Sequence, residues 1–122
     1  MPARKTVYPK NPIADELLKK YSKPMKPGSG ALSAKDVANR LKGLNGWTAA
    51  DGRISKTYKF DDYYRTITFV NAVAWLANKE DHHPDLEVGY NQCVVHYSTH
   101  SVGGLSENDF ICAAKVDALL RL

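Results

Sequence analysis

The pair Asp51 Gly52 stands between two short β-patterned segments, and it constrains the fold more than any other feature of this chain. A two-residue connection of this type needs positive φ at both positions, which Asp and Gly supply at low cost, so it joins antiparallel neighbours. Trp47 to Ala50 and Ile54 to Phe60 are expected to form a hairpin, with Ile54, Tyr58 and Phe60 on one strand parity. A second hairpin is expected further on. Leu86, Val88 and Tyr90 alternate with Asp85, Glu87 and Gly89, a tight turn falls near Asn91, and Gln92 to His100 continues as the partner strand.

Helical patterns surround these hairpins. Ser33 is a good N-cap for a helix whose face, Val37, Ala38 and Leu41, stops at Gly43. Asp61 is expected to cap a long helix over residues 61–78. That helix carries two apolar stripes, one of Tyr63, Ile67, Val70, Ala74 and Ala77, the other of Phe69, Val73 and Leu76. One stripe can cover a sheet while the other seeks a second subunit, so a homodimer or homotetramer through this helix is expected. Gly103 and Gly104 close the second hairpin, and Ser106 with Asp109 makes a capping-box-like start for a last helix reaching about Leu120. Hairpins alternating with single helices imply an α+β domain over residues 31–122, with a four-stranded antiparallel sheet and helices packed on one face. Trp47 is expected in its core, Glu80 in solvent.

Residues 1–30 read as a basic extension. Asn11 and Pro12 start a possible short helix over about 12–21 with a stripe of Ile13, Leu17, Leu18 and Tyr21, and Ser22 to Gly30 is linker-like. The stripe could dock on the body or on a partner, but the plainer expectation is a loosely ordered tail. Residues 1–26 hold seven Lys and Arg against Asp15 and Glu16, so the net charge of +4 comes from the tail and the body is close to neutral. A phosphate-binding groove needs cations clustered on the domain itself, which argues against direct nucleic-acid binding.

No apolar run approaches the roughly 18–20 residues of a membrane span, and no apolar signal region stands near the start, so a soluble, cytoplasmic protein is expected. Targeting of an organelle by the basic extension is disfavoured by Asp15, Glu16 and the prolines at 2, 9, 12 and 24. Cys93 and Cys112 lack C-x-x-C spacing and are expected to be buried, reduced packing residues.

The chemistry concentrates after the long helix, where Glu80 Asp81 His82 His83 Pro84 is followed by Ser98 Thr99 His100 and by Asp109. Imidazoles exchange protons near neutrality, so histidines grouped beside carboxylates point to acid/base work. Pro84 fixes its own φ and biases His83 toward an extended backbone. On the second strand, Cys93, Val95, Tyr97 and Thr99 are expected to face the helices; Val94, His96, Ser98 and His100 share the other face, with His96 solvated. Three imidazoles and a water can hold zinc, but adjacent histidines rarely chelate one ion together, so no metal is expected. No glycine-rich phosphate loop and no G-x-S-x-G elbow occurs.

Asp81 His82 His83 Pro84, then Tyr90 Asn91, then Ser98 Thr99 His100, then Gly104 Leu105 Ser106 Glu107 and Asp109, together resemble the pterin-4a-carbinolamine dehydratase family. The similarity extends back through Gly46 Trp47 and Phe60 Asp61, so it spans about residues 32–120. Asn78 departs from it, standing where some members have a glutamate. The resemblance implies an enzyme that removes water from 4a-hydroxytetrahydrobiopterin to give quinonoid dihydropterin in tetrahydrobiopterin recycling, with no cofactor. It implies that His82, His83 and His100 surround the C4a and N5 edge as acid, base and positioning group, in an order the motif leaves open. Asp81 would orient a histidine and Pro84 would set the turn. Ser98, Thr99, the backbone of Ser101 and Val102, and Asp109 would bind the pterin. Family members form dimers or tetramers, and some act as dimerisation cofactors of a homeodomain transcription factor. A non-catalytic binding module, or a dehydratase for another pterin, are the alternatives.

Overall fold

The computed structural model describes residues 11–26 and 28–121. Residues 1–10 of the basic extension, Pro27 and Leu122 lie outside the described residues. The elements run α1 (Pro12–Leu18), α2 (Ala34–Leu41), β1 (Thr48–Ala50), β2 (Arg53–Lys59), α3 (Tyr63–Glu80), β3 (Asp85–Val88), β4 (Gln92–Tyr97), a 3₁₀ turn (His100–Val102) and α4 (Glu107–Leu119). This is the expected α+β architecture. The strands form one antiparallel sheet in the order β1-β2-β4-β3, so each hairpin contributes one edge and one inner strand.

Local chemistry accounts for most of these boundaries. Asp51 and Gly52 have φ of 54° and 74°, the doubly left-handed geometry that a two-residue hairpin of matching twist requires. Ser33 Oγ accepts the Asp36 amide at 3.2 Å, and Ser106 with Asp109 forms the reciprocal capping box of α4. The start of α3 is one residue later than expected. Asp62 rather than Asp61 is its cap, because the Thr66 hydroxyl bonds both Asp62 O at 2.9 Å and Tyr90 O at 3.0 Å and so anchors the first turn beneath the β3–β4 connection.

The end of α3 differs as well, and the difference positions the site. The helix runs through Glu80 rather than stopping at Asn78, then closes on Asp81 in the left-handed conformation at φ 50° and ψ 41°. His82 N–H bonds Ala77 O and Asp81 N–H bonds Asn78 O, the two bonds of a Schellman ending. His82 is thereby tied to the last turn of α3, and Pro84 cannot continue the helix.

Cys93, Val95 and Tyr97 of β4 and Ile54 and Tyr58 of β2 point into the core, where they meet Phe69, Val73 and Leu76 of α3 and Phe110, Ile111 and Ala114 of α4. Cys93 and Cys112 are buried free thiols. Trp47 is buried in the same core, and its indole N–H, the Lys56 ammonium and the Tyr58 hydroxyl all donate to Asp117, fastening the first hairpin to α4.

His96 corrects the expectation of a solvated residue. It is buried on the opposite face of the sheet, with Ser55 Oγ at 2.6 Å from Nδ1 and Glu87 Oε2 at 2.5 Å from Nε2. β4 is an inner strand, so cross-strand neighbours flank His96 on both sides, Ser55 on β2 and Asp85 on β3.

The described part of the N-terminal extension that carries α1, residues 11–26, is packed, not loose. Leu17 is part of the core and Asn11 caps α1 through Ala14 N while donating to Gly43 O at 3.0 Å. The helix ends at Leu18 rather than Tyr21 because the next residues spend their backbone groups on distant partners, Ser22 on Glu80 and Lys23 on Asn108. Gly43 lets α1 approach: a Cβ there would lie 2.5 Å from Ile13 Cβ and 3.0 Å from Ala14 N. Gly43→Ala is expected to destabilise the fold by about 1–3 kcal/mol, the usual cost of overpacking, read from the urea midpoint. A midpoint equal to that of the parent would show that α1 yields freely. Among the described residues no helix is long and apolar enough to cross a membrane.

Candidate active site

Asp109 is fully buried, and both of its carboxylate oxygens are engaged. Oδ2 accepts from Ser106 N at 2.9 Å and Thr99 Oγ1 at 2.8 Å; Oδ1 lies 2.6 Å from His82 Nε2. Thr99 Oγ1 also lies 2.7 Å from Ser106 Oγ. A carboxylate only accepts, so the pair puts a proton on His82 Nε2 and leaves Nδ1 as the nitrogen able to exchange a proton with a ligand. The His82 ring lies against Tyr97 with centroids 5.6 Å apart and planes inclined by 9°, a stack worth about 0.5–1.5 kcal/mol. Cap, strand and aromatic face together hold one imidazole in one orientation.

His82 borders a cavity of about 210 Å³ whose lining also includes Asp81, Glu80, Thr99, Ser101 and Asn108. The opposite wall is the N-terminal segment, Ser22, Lys23, Pro24 and Met25. Of the residues expected at a site, the structure therefore brings together Asp81, His82, Thr99 and Ser101 around one cavity, with Asp109 behind His82. It does not bring the rest to that lining. His83 and His100 are exposed, Pro84, Ser98 and Val102 are half-buried, and His100 starts the 3₁₀ turn rather than ending a strand. Among the described residues no group of three or more His, Cys, Asp or Glu side chains is placed to hold a metal ion.

Glu80, expected in solvent, is buried. Its Oε1 accepts Ser22 N–H at 3.0 Å and the Lys115 ammonium at 3.1 Å. Removing one member of such a buried pair strands the other charge, which costs about 3–5 kcal/mol. The signal was present in the sequence, since Glu80 continues at helical spacing the stripe of Phe69, Val73 and Leu76. For Asn108 there was none. Its side chain meets Lys23 twice, accepting the backbone N–H at 3.0 Å and donating to the backbone O at 2.6 Å, across 85 residues of sequence. Tyr97 was expected in the core but not as the surface on which a site histidine rests.

Burial holds several acids of this region in their protonated forms. The Cys112 thiol is pushed up to about 12 by burial and by the nearby Glu80 and Asp109 charges. The Tyr97 hydroxyl is raised by burial and then by Cys112, Asp109 and Glu80; that of Tyr58 is raised by burial and by Asp117. In the unfolded chain these groups would release their protons near 9 for the thiol and 10 for the phenols. Above about pH 9 the unfolded state thus binds fewer protons than the native one, and stability falls as pH rises. Urea midpoints are expected to be level up to about pH 9 and to drop steeply beyond it; a level profile to about pH 11 would contradict these burials.

Residues 30–119 match the model of the pterin 4 alpha carbinolamine dehydratase family. A curated protein of Nitrosomonas eutropha, provisionally named pterin-4-alpha-carbinolamine dehydratase, is 58% identical over 86% of this chain and 94% of its own length. One of Bdellovibrio bacteriovorus with the same provisional name is 53% identical over 85% of this chain and 88% of its own. Among solved structures, a transcriptional coactivator/pterin dehydratase from Brucella melitensis is 33% identical and superposes with a TM-score of 0.71, over 74% of this chain and 98% of that one. A pterin dehydratase-like RuBisCO assembly factor of the alpha-carboxysome, 24% identical with a TM-score of 0.51, shares the fold.

Proposed function

The chain belongs to the pterin 4 alpha carbinolamine dehydratase family, and from that premise we propose that it eliminates water from 4a-hydroxytetrahydrobiopterin, giving quinonoid dihydropterin for tetrahydrobiopterin recycling. The observation that carries the reading is the His82–Asp109 pair at the edge of a small, partly polar cavity. The elimination protonates the C4a hydroxyl so that it leaves as water and removes the N5 proton as the C4a–N5 double bond forms. Neither step changes the redox state, and both are proton transfers that imidazole performs near neutral pH. His82, fixed through Nε2, exchanges a proton through Nδ1. His83 and His100 adjoin the cavity-lining residues His82 and Thr99 in sequence, and we assign the complementary proton transfer and substrate positioning to them. Thr99, the Ser101 and Val102 backbone and Ser98 would hold the amide-like edge of the pterin, with Asp81 and Pro84 setting the loop that carries the histidines.

Stopped-flow measurement on freshly generated 4a-hydroxytetrahydropterin tests this directly. Acceleration over the spontaneous rate that survives a chelator is the expected result, since the proposal needs neither metal nor cofactor. No acceleration would overturn it and favour a binding module or a different pterin.

Tyr63, Tyr64 and Trp75 leave large apolar surfaces exposed on α3. A groove lined by Phe60, Tyr64, Phe69 and Leu119 adjoins them. These surfaces support self-association through α3, as a homodimer or homotetramer. Light scattering at micromolar concentration that returned the mass of one chain would exclude it. The two buried, reduced thiols are in keeping with a cytoplasmic location, which cell fractionation would test.

A further inference from the structure

Three contacts fasten the segment Tyr21–Met25 across the His82 cavity. The Lys115 ammonium sits 4.3 Å from the centroid of the Tyr21 ring, Ser22 N–H donates to Glu80, and Lys23 makes its two backbone bonds to Asn108. Glu80 is two residues before His82 and Asn108 is next to Asp109. The strap is thus bolted to the same two elements that hold the acid/base pair.

It is also a partition. Lys23, Met25 and Asn108 line the His82 cavity on one side and, on the other, a second cavity of about 480 Å³ whose lining adds Lys19, Lys20, Tyr21, Glu107 and Ile111. The His82 cavity of about 210 Å³ is smaller than the roughly 300 Å³ at which sites for drug-sized ligands begin. Such a space takes a bicyclic ring with a short substituent. C6 of a pterin is bonded to N5, so with the C4a–N5 edge at His82 any C6 substituent is carried within a bond or two of the reacting atoms and meets the cavity walls.

Resting on the dehydratase reading, we infer that the Tyr21–Met25 strap is the size-selecting wall of the pocket, pinned by Asn108 and Glu80, and that it rejects pterins with a large C6 substituent. Rejection by a wall depends on that wall being fixed, since discrimination against a bulky ligand is the cost of displacing whatever it strikes. Releasing the strap joins the two cavities. The second is lined by Lys19, Lys20 and Lys23 beside Met25 and Ile111, with Glu107 paired to Lys20 at 2.7 Å, so it keeps an excess of positive charge and the substituent that gains most is an aryl group carrying carboxylates.

Equilibrium binding of dihydrobiopterin and dihydrofolate to the full-length protein, to Asn108→Ala and to Ser22→Pro tests the inference. Asn108→Ala removes both bonds to Lys23; Ser22→Pro removes the N–H given to Glu80 from a position outside α4. The parent is expected to prefer dihydrobiopterin by about tenfold or more, and each variant to narrow the preference to about threefold or less, with dihydrofolate binding tightened and the thermal midpoint retained in at least one of them. Equal weakening of both ligands, or an unchanged ratio in a folded variant, would overturn the inference alone. Parent protein that neither binds dihydrobiopterin nor accelerates dehydration would overturn the dehydratase reading and the inference with it.

Discussion

His82→Ala is expected to lower kcat for pterin dehydration by about 10²- to 10⁴-fold, the range that a positioned general acid or base contributes. The side chain is mostly enclosed, yet what it touches is the flat face of Tyr97 and one oxygen of Asp109. Its loss should leave the α3–α4 packing in place and KM within a few-fold, so the effect falls on the chemical step. Steady-state dehydration with thermal midpoints recorded alongside separates the two. Turnover within a factor of about three of the parent would remove His82 from the mechanism. The same measurement on His83→Ala and His100→Ala ranks the exposed imidazoles against the enclosed one.

Asp109→Asn should be almost as damaging to activity, by a different route. Asp109 accepts from a helix-cap amide, a threonine hydroxyl and an imidazole. An amide offers one accepting end and one donating end. If its oxygen stays on the Ser106 and Thr99 side, its NH₂ faces His82 Nε2 and forces the proton to Nδ1, the wrong tautomer for accepting a proton from substrate. If it turns round, NH₂ meets the Ser106 N–H and leaves two buried donors facing each other, which costs about 1–3 kcal/mol. The expected result is a loss of kcat of about 10²-fold or more with a lowered urea midpoint, and imidazole ¹⁵N shifts that report the tautomer change. Retained activity together with an unaltered ¹⁵N pattern would show that the carboxylate is only a cap.

The contrast between these two residues bears on what a sequence discloses. Asp109 was readable as a cap because capping spacing is local, and its second use became visible only when α3 delivered His82 to its other oxygen. The Asp51 Gly52 turn and the burial parity of β4 were readable for the same reason: both are set by neighbours in the chain. His96 was misread because period-2 alternation tells which face a residue is on and not whether the strand is an inner one. Strap contacts had no local signature at all. Lys23 and Asn108 meet across 85 residues, and a segment rich in lysine, proline and glycine has the composition of a linker whether or not something distant grips its backbone. Glu80 lies between these cases, with helical spacing that marked it for burial and a charge that argued the other way.

The strap's position in the chain also sets an order of events. During synthesis the residues of the pocket's outer wall emerge first, and their anchors, Glu80 and then Asn108, follow 58 and 85 positions later. A nascent chain can close the Asp51 Gly52 hairpin as soon as it is made, but this wall has only Glu80 to hold until α4 has begun. The earliest part of the pocket to be written is therefore among the last to be fixed in place, and any partly made chain carries acid/base residues without the enclosure that surrounds them in the finished protein.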